Sequence, residues 1–453
     1  MSSQQNRRNF LQSTAAIGAG YWVAERTSPV FSRSPNEQIQ FASIGVGGKG
    51  SSDSKNAARH GKMVAICDVD ERTLKRAAVG FKADGHDPKQ FFDFRTMLDE
   101  MGDKIDAVTV STPDHVHAVA AAMAMNMGKH CFVQKPLTHS IYEARVLGEL
   151  AREKGVATQM GNQGTANNPL REAAAVLRSG ALGTIKEVHV WTNRPVWPTL
   201  SERLPGKPIP PYLHWQEWLG PAPERDYNPG YHPKSWRGFW DFGTGALGDM
   251  ACHTVNMPYA GLKLSNPTSV EAEHAGHNKD SYPGWSVIKY EFPANDQREA
   301  LTMTWYDGGK RPPLDMLEGE KPKENSGGVV IEGTRGKLVS IGDYAGQVNY
   351  YHMDKPKVEY EKSPGHFDEW VIAINGGSSA KSNFPDYAGP LTETILLGNL
   401  AIWANKRVEW DAEMVRATNA PELESFVRRP YREGYSLGYE PKSLRVEKAA
   451  AAG

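Results

Sequence analysis

Short apolar runs separated by helix-length stretches dominate the first part of the chain beyond about residue 36. Ile39-Gln40-Phe41-Ala42-Ser43-Ile44, Met63-Val64-Ala65-Ile66-Cys67, Ala107-Val108-Thr109-Val110, His130-Cys131-Phe132-Val133 and Val156-Ala157-Thr158-Gln159-Met160 read as strands. Between them, Gly50 to Arg59, Val116 to Met127 and Tyr142 to Lys154 read as helices. Strands buried on both faces give near-continuous apolar runs, and their alternation with helices predicts an α/β domain over residues 36–160. Its core is a doubly wound parallel sheet of the Rossmann type.

Past residue 160 the pattern changes. One helical stretch, Pro169 to Arg178, precedes the β-rich runs Ile185 to Trp191, Ser269 to Glu273, Ser286 to Phe292, Leu301 to Trp305, Gly328 to Glu332 and Lys337 to Ile341. No helix of crossover length separates the later runs, which predicts an α+β domain over residues 161–430 with a large, mostly antiparallel open sheet. Such a sheet also predicts a homo-oligomer formed through its open face. A Pro/Trp/Gly-rich insertion occupies residues 195–243, Leu391 to Asn405 reads as a helix, and residues 431–453 form a tail, disordered beyond Val446.

Composition narrows the partners. Lys and Arg number 52 against 53 Asp and Glu, so neither nucleic acid nor an acidic tail is indicated. Outside the N-terminus no apolar run has membrane-spanning length. Cys67, Cys131 and Cys252 are widely spaced in apolar surroundings, as expected of buried thiols rather than disulfides or metal ligands. His274 and His277 lack a third ligand in their Gly/Asn loop, so no metal is expected.

At the N-terminus, Arg7-Arg8-Asn9-Phe10-Leu11 precedes a small-residue apolar stretch from Ala15 to Ala24, the pattern of a twin-arginine export signal over residues 1–35. That places the protein in the periplasm, with cleavage or retention of the signal open. The route carries folded proteins, so a cofactor would travel already bound.

The strand ends carry the candidate chemistry. Gly45-Val46-Gly47-Gly48-Lys49-Gly50 follows a strand and opens a helix, where glycines let a backbone approach a pyrophosphate. Asp68, ending the next strand, can accept from both adenosine ribose hydroxyls and repels a 2′-phosphate, which favours NAD over NADP. Ser111-Thr112-Pro113 with His117, and Gln134-Lys135-Pro136, end later strands, where open α/β sheets bind ligands. Lys135 after an apolar run either reaches solvent or has a charged partner. Asp249 and His253 lie four residues apart and share a helix face, an arrangement for a general base with an orienting acid or for an ordinary surface ion pair.

Taken in order, these motifs resemble the Gfo/Idh/MocA family, nicotinamide-dependent oxidoreductases of sugars and cyclitols. The resemblance runs from about residue 38 to beyond 430. It implies Lys135, Asp249 and His253 as the catalytic group: His253 takes a hydroxyl proton, Asp249 orients it, and Lys135 stabilises the oxygen. Much of the family has Glu where this chain has Gln134, which removes a charge near the nicotinamide end. Half of the 12 tryptophans, Trp191, Trp197, Trp215, Trp218, Trp236 and Trp240, fall in or beside the insertion. Most are expected to pack a lid, with one or two against a carbohydrate substrate; Trp191 and Trp240 are the candidates, with Gln163, Arg194, His232 and Arg237 for hydroxyls. Three functions stand at this point: a sugar or polyol oxidoreductase with tightly bound NAD, a glycoside-cleaving enzyme using bound NAD in a redox-neutral cycle, and a non-catalytic sugar sensor.

Overall fold

The structure, a computed structural model, describes residues 38–322 and 324–444. The export-signal pattern and the chain beyond Val446 lie outside the described residues. The described chain begins with strand β1 (Ile39–Ile44), helix α1 (Gly48–Ala58), β2 (Gly61–Cys67), α2 (Glu71–Ala83), β3 (Lys89–Phe91) and α3 (Phe94–Met101). It continues through β4 (Ala107–Val110), α4 (Asp114–Asn126), β5 (His130–Val133), α5 (Ile141–Lys154) and β6 (Thr158–Met160). The six strands form one parallel sheet in the order β3-β2-β1-β4-β5-β6. The order reverses between β1 and β4, the point where such sheets open a ligand crevice at their carboxyl ends.

Alternate strand residues feed two cores, as the period of two requires. Ala42, Ile44, Val108, Val110, Cys131 and Val133 pack with α3, α4 and α5 residues such as Leu98, Val119 and Leu147. Phe41, Met63, Ile66 and Phe132 pack on the other face with Leu74 and Phe81 of α2. Helix starts are chemically marked. Asp70 accepts from the Arg72 and Thr73 amides to cap α2, and Ser140 and Glu143 form a reciprocal capping box on α5.

The second half contains α6 (Asn168–Arg178), β7 (Ile185–Trp191), α7 (Trp215–Leu219), α8 (Gly245–Thr254), α9 (Asn256–Leu262), β8 (Ser269–His274), β9 (Ser286–Phe292) and β10 (Leu301–Tyr306). It closes with β11 (Gly328–Gly333), β12 (Lys337–Ile341), β13 (Asn349–Tyr351), α10 (His366–Ile374), α11 (Gly389–Ala404), β14 (Val408–Asp411) and β15 (Arg416–Ala417). Nine strands form a mixed sheet, β13-β12-β11-β7-β10-β9-β8-β14-β15. All neighbours are antiparallel except β7 and β10. On β9 and β10, Ile288, Tyr290, Met303 and Trp305 are buried while Val287, Lys289, Thr302 and Thr304 are not, so one face packs and the other stays open.

The halves are interleaved. Helix α10 leaves the second half and lies on the Rossmann sheet, placing Phe367, Trp370 and Ile374 in the core with Phe41 and Phe132. Residues 429–442 return to α4 and α5: Arg429 and Tyr431 bond Glu143, Asn126 donates to the Leu437 carbonyl, and the Lys442 amide donates to Glu149. The insertion builds its own core from Trp215, Trp218, Tyr227, Tyr231, Trp236, Phe239 and Phe242. Among the described residues no helix is long and apolar enough to cross a membrane.

Candidate active site

The glycine-rich turn between β1 and α1 is fixed by close backbone approaches. Gly45 has φ +79°, and a Cβ there would stand 2.6 Å from the Ser111 carbonyl oxygen. A Cβ on Gly50 would stand 2.0 Å from the Gly45 carbonyl oxygen. Gly48, at φ +49°, has no neighbour within 4 Å of that position, which leaves the α1 N-terminus open for a phosphate. Asp68 accepts from the Val46 amide (3.0 Å) and the Asp70 amide (3.0 Å). Each carboxylate oxygen keeps a second lone pair for a ribose hydroxyl. These residues fit a dinucleotide. Replacing Gly45 with Ala is expected to cost on the order of 1–3 kcal/mol in strain and to abolish nucleotide binding; fluorescence titration with NADH and a thermal melt measure the two effects.

Asp53 on α1 was not among the residues singled out from sequence. It is fully buried and joins three segments: it accepts from Lys49 Nζ (2.7 Å), Ser111 Oγ (2.9 Å) and Gln134 Nε2 (2.8 Å). The charge absent from position 134 is therefore present one contact away. Gln134 in turn accepts from the Lys135 amide (3.3 Å), and Gly161 leaves room for it, since a Cβ there would meet Gln134 Nε2 at 2.4 Å. His117 proves to be a brace rather than an open ligand. It is buried, with its ring nitrogens 2.9 Å from the Thr112 and Pro136 carbonyl oxygens, tying together the turns after β4 and β5.

Lys135 resolves the alternative left by the sequence: it has a charged partner. Its Nζ donates to Asp249 Oδ1 at 2.8 Å and to the Asp249 carbonyl at 2.5 Å. Asp249 and His253 lie on α8, but the expected orienting pair does not form. The Asp249 carboxylate faces Lys135, Arg237 Nε (2.9 Å) and Arg194 Nε (3.1 Å), while buried His253 Nδ1 has no hydrogen-bond partner among the described residues. An i,i+4 pair is worth tenths of a kcal/mol, less than three direct cation contacts at a nearly buried carboxylate. Burial alone would raise the Asp249 carboxyl; Lys135, Arg237 and Arg194 overcome it and hold it well below the usual range. Burial also pushes the His253 imidazole well below its usual range, with Lys135 adding to the shift and Asp249 opposing it.

Tyr344 is a second residue missed in the sequence. Its ring meets His253 edge-on at 4.8 Å, and Gln163 lies beside it. The loop after β12 that carries Tyr344 has no periodicity to mark it. Of the substrate candidates, the structure thus brings Arg194 and Arg237 to Asp249 and Gln163 to the Tyr344–His253 edge. It places three elsewhere. Trp191 is fully buried with Leu317, Val330 and Val339, because its position on β7 turns it into the sheet core. Trp240 stacks on Tyr282 (3.6 Å) and lines a separate cavity of about 200 Å³ with His139, Asn399, Trp403 and Phe426. His232 lies 3.9 Å from Asp70, towards the Asp68 end of the crevice.

Two family models match the chain: the NAD-binding Rossmann fold of the Gfo/Idh/MocA oxidoreductase family over residues 14–162, and its C-terminal alpha/beta domain over residues 167–437. Levoglucosan dehydrogenase of Pseudarthrobacter phenanthrenivorans is 28% identical over 166 residues, 36% of this chain and 34% of that protein. A glycosyl hydrolase family 109 protein of Shewanella putrefaciens is 26% identical over 329 residues, 65% of this chain and 63% of that protein. The chain thus spans less than two thirds of the length of these curated relatives. The WlbA dehydrogenase of Bordetella pertussis, solved with NADH and UDP-GlcNAcA, superposes with a TM-score of 0.59 at 17% identity, over 83% of this chain and 99% of that one. That likeness bears on the fold alone.

Proposed function

The chain belongs to the Gfo/Idh/MocA oxidoreductase family, and from that premise we propose that it moves a hydride between a carbinol carbon of a sugar, glycoside or cyclitol and a bound nicotinamide dinucleotide. The observation that carries this reading is Lys135 held by Asp249 beside a buried, neutral His253. A sensor would need no such group, because binding alone requires neither a base nor a lysine fixed at a strand end. Gly45, Val46, Gly47, Gly48, Gly50, Ser111, Thr112 and Pro113 would hold the dinucleotide, and Asp68 selects NAD by excluding a 2′-phosphate. Held there, a nicotinamide would supply the hydride acceptor for the carbinol carbon.

The protein's own groups handle the proton and the charge. His253 is neutral at physiological pH and takes the hydroxyl proton. Lys135 donates to the same oxygen and stabilises the alkoxide as it forms, its own position fixed by Asp249. His117 and Asp53 keep the turns after β4 and β5 in register with the glycine-rich turn, which maintains the alignment that hydride transfer demands.

The depressed His253 gives a pH signature. As pH falls through its lowered pKa the base becomes protonated, so kcat/KM should stay flat from neutrality down past pH 6.5 and fall only below it. A pH–rate profile centred at or above 6.5 would assign the base to another group.

Similarity to a glycosyl hydrolase family 109 protein over 65% of the chain favours a second reading, in which the hydride returns after elimination and hydration of a glycoside. Both readings suit the proposed periplasmic location, where Arg7-Arg8 would export a protein with NAD already bound. The open sheet face with Lys289, Thr302 and Thr304 suits a homo-oligomer. The decisive experiment purifies the protein without added NAD, assays released nucleotide, and supplies free sugars and chromogenic glycosides. Ketone or NADH without aglycone supports the oxidoreductase; aglycone without net NADH supports the hydrolase. An empty protein that turns over neither class overturns both.

A further inference from the structure

Charge at the proposed catalytic centre does not balance. Asp249 supplies one carboxylate, and Lys135, Arg194 and Arg237 supply three cations, all in direct contact with it. These are partly desolvated groups: the side chains of Lys135, Arg194 and Arg237 are 13%, 25% and 31% exposed. Neighbouring acids do little to offset them. Asp114 is buried on the Thr244 hydroxyl, and burial raises its pKa, which favours its neutral form. Asp241 pairs with Arg225 and Asp53 with Lys49; Asp343, bonded to the Gly327 amide, adds a second carboxylate, so three cations face two carboxylates.

Donor chemistry adds to the charge argument. Lys and Arg are donors without acceptors, so the groups gathered here offer N–H bonds and little else. Both arginines meet Asp249 through Nε, which leaves guanidinium nitrogens over. Arg194 spends Nη1 on Asn193 Oδ1 (2.6 Å). The Arg237 guanidinium carbon sits over the Trp236 ring, 4.1 Å from its centroid, and no further hydrogen bond to protein engages its Nη pair among the described residues. A neutral hydroxyl wants to donate as well as accept and meets a poor match in such a set. An acceptor-only group with a formal negative charge meets a good one, and the planar arginine fork suits a carboxylate.

We propose that the substrate is anionic, a sugar acid whose carboxylate is received by Arg194 and Arg237 while the reacting hydroxyl sits at Lys135 and His253. This rests on the oxidoreductase reading for the hydroxyl and on the arginine pair alone for the carboxylate. The two parts fail separately.

The test measures binding first, with no demand for turnover. NAD-loaded protein is titrated calorimetrically with glucuronate and galacturonate, with glucose and galactose, and with glucose 6-phosphate. Sugar acids should bind at least about 30-fold more tightly than their neutral partners, with affinity falling as salt rises. Arg237→Gln and Arg194→Gln should each shrink that ratio about tenfold; the wild-type comparison stands even where a variant folds poorly. Equal affinity for acid and neutral sugar overturns the proposal, as does a preference for glucose 6-phosphate over both acids, which would assign the arginines to a phosphate. The same samples are then followed for NADH and ketone. Selective binding of acids without oxidation defeats the oxidoreductase reading and leaves the carboxylate site standing; oxidation of neutral sugars without selectivity does the reverse.

Discussion

Replacing Lys135 with Met is expected to lower kcat/KM by about 10²–10³-fold on whichever substrate the wild-type protein turns over. The lysine follows the buried strand β5 by two residues, and its Nζ reaches both the side chain and the backbone carbonyl of Asp249. That double contact fixes an ammonium where an alkoxide would form, so its contribution falls on the transition state more than on ground-state binding. Methionine preserves the length and bulk of the side chain and removes only the charge and the donors. Asp249 would keep Arg194 and Arg237, so the variant should still fold. Steady-state kinetics should therefore show the loss mainly in kcat, with circular dichroism unchanged. A change in KM with kcat intact would reduce Lys135 to a substrate-binding role.

Trp370→Ala is expected to destabilise the protein by about 3–5 kcal/mol, read as a shift in the urea midpoint. Trp370 is fully buried, its ring 5.7 Å from both Phe41 and Phe132, and its Nε1 donates to the Ala157 carbonyl at 3.2 Å. Truncation removes an indole packed over two strands, and the Ala157 carbonyl keeps its bond from the Cys131 amide, so the cavity dominates the loss. Through this residue α10 holds the second half of the chain on the first, and weaker docking should loosen the crevice between them. NADH affinity measured on the same variant should fall together with stability.

The Rossmann half was legible because its strands are buried on both faces and so announce themselves as continuous apolar runs, ending where the sheet opens. Helix α10 was overlooked although Phe367, Trp370 and Ile374 carry helical spacing; Pro364-Gly365 before it and Gly376-Gly377 after it make a short segment look like loop. The insertion tryptophans behaved as crowded aromatics generally do, with Trp215, Trp218 and Trp236 building a core of their own. The helix that carries Asp249 and His253 was found by motif, but its wiring was not. Four-residue spacing can report which side chains share a face; it cannot report that Lys135, Arg194 and Arg237, from three distant segments, compete for the same carboxylate. Asp53 was hidden for the same reason: Ser111 and Gln134 are 58 and 81 positions away, and only folding brings them to it.

The Asp53–Gln134 contact also constrains how this lineage can change. A mutation of Gln134 to Glu, a single-residue step towards the common family pattern, would set two buried carboxylates against each other at a separation now spanned by a 2.8 Å hydrogen bond. Losing Asp53 first would leave the Gln134 amide and the Ser111 hydroxyl without their acceptor. Each change is expected to be harmful alone and better tolerated beside the other, so a double-mutant cycle on the two positions should show coupling. The negative charge a glutamate would carry at 134 is already supplied by Asp53, one hydrogen bond away.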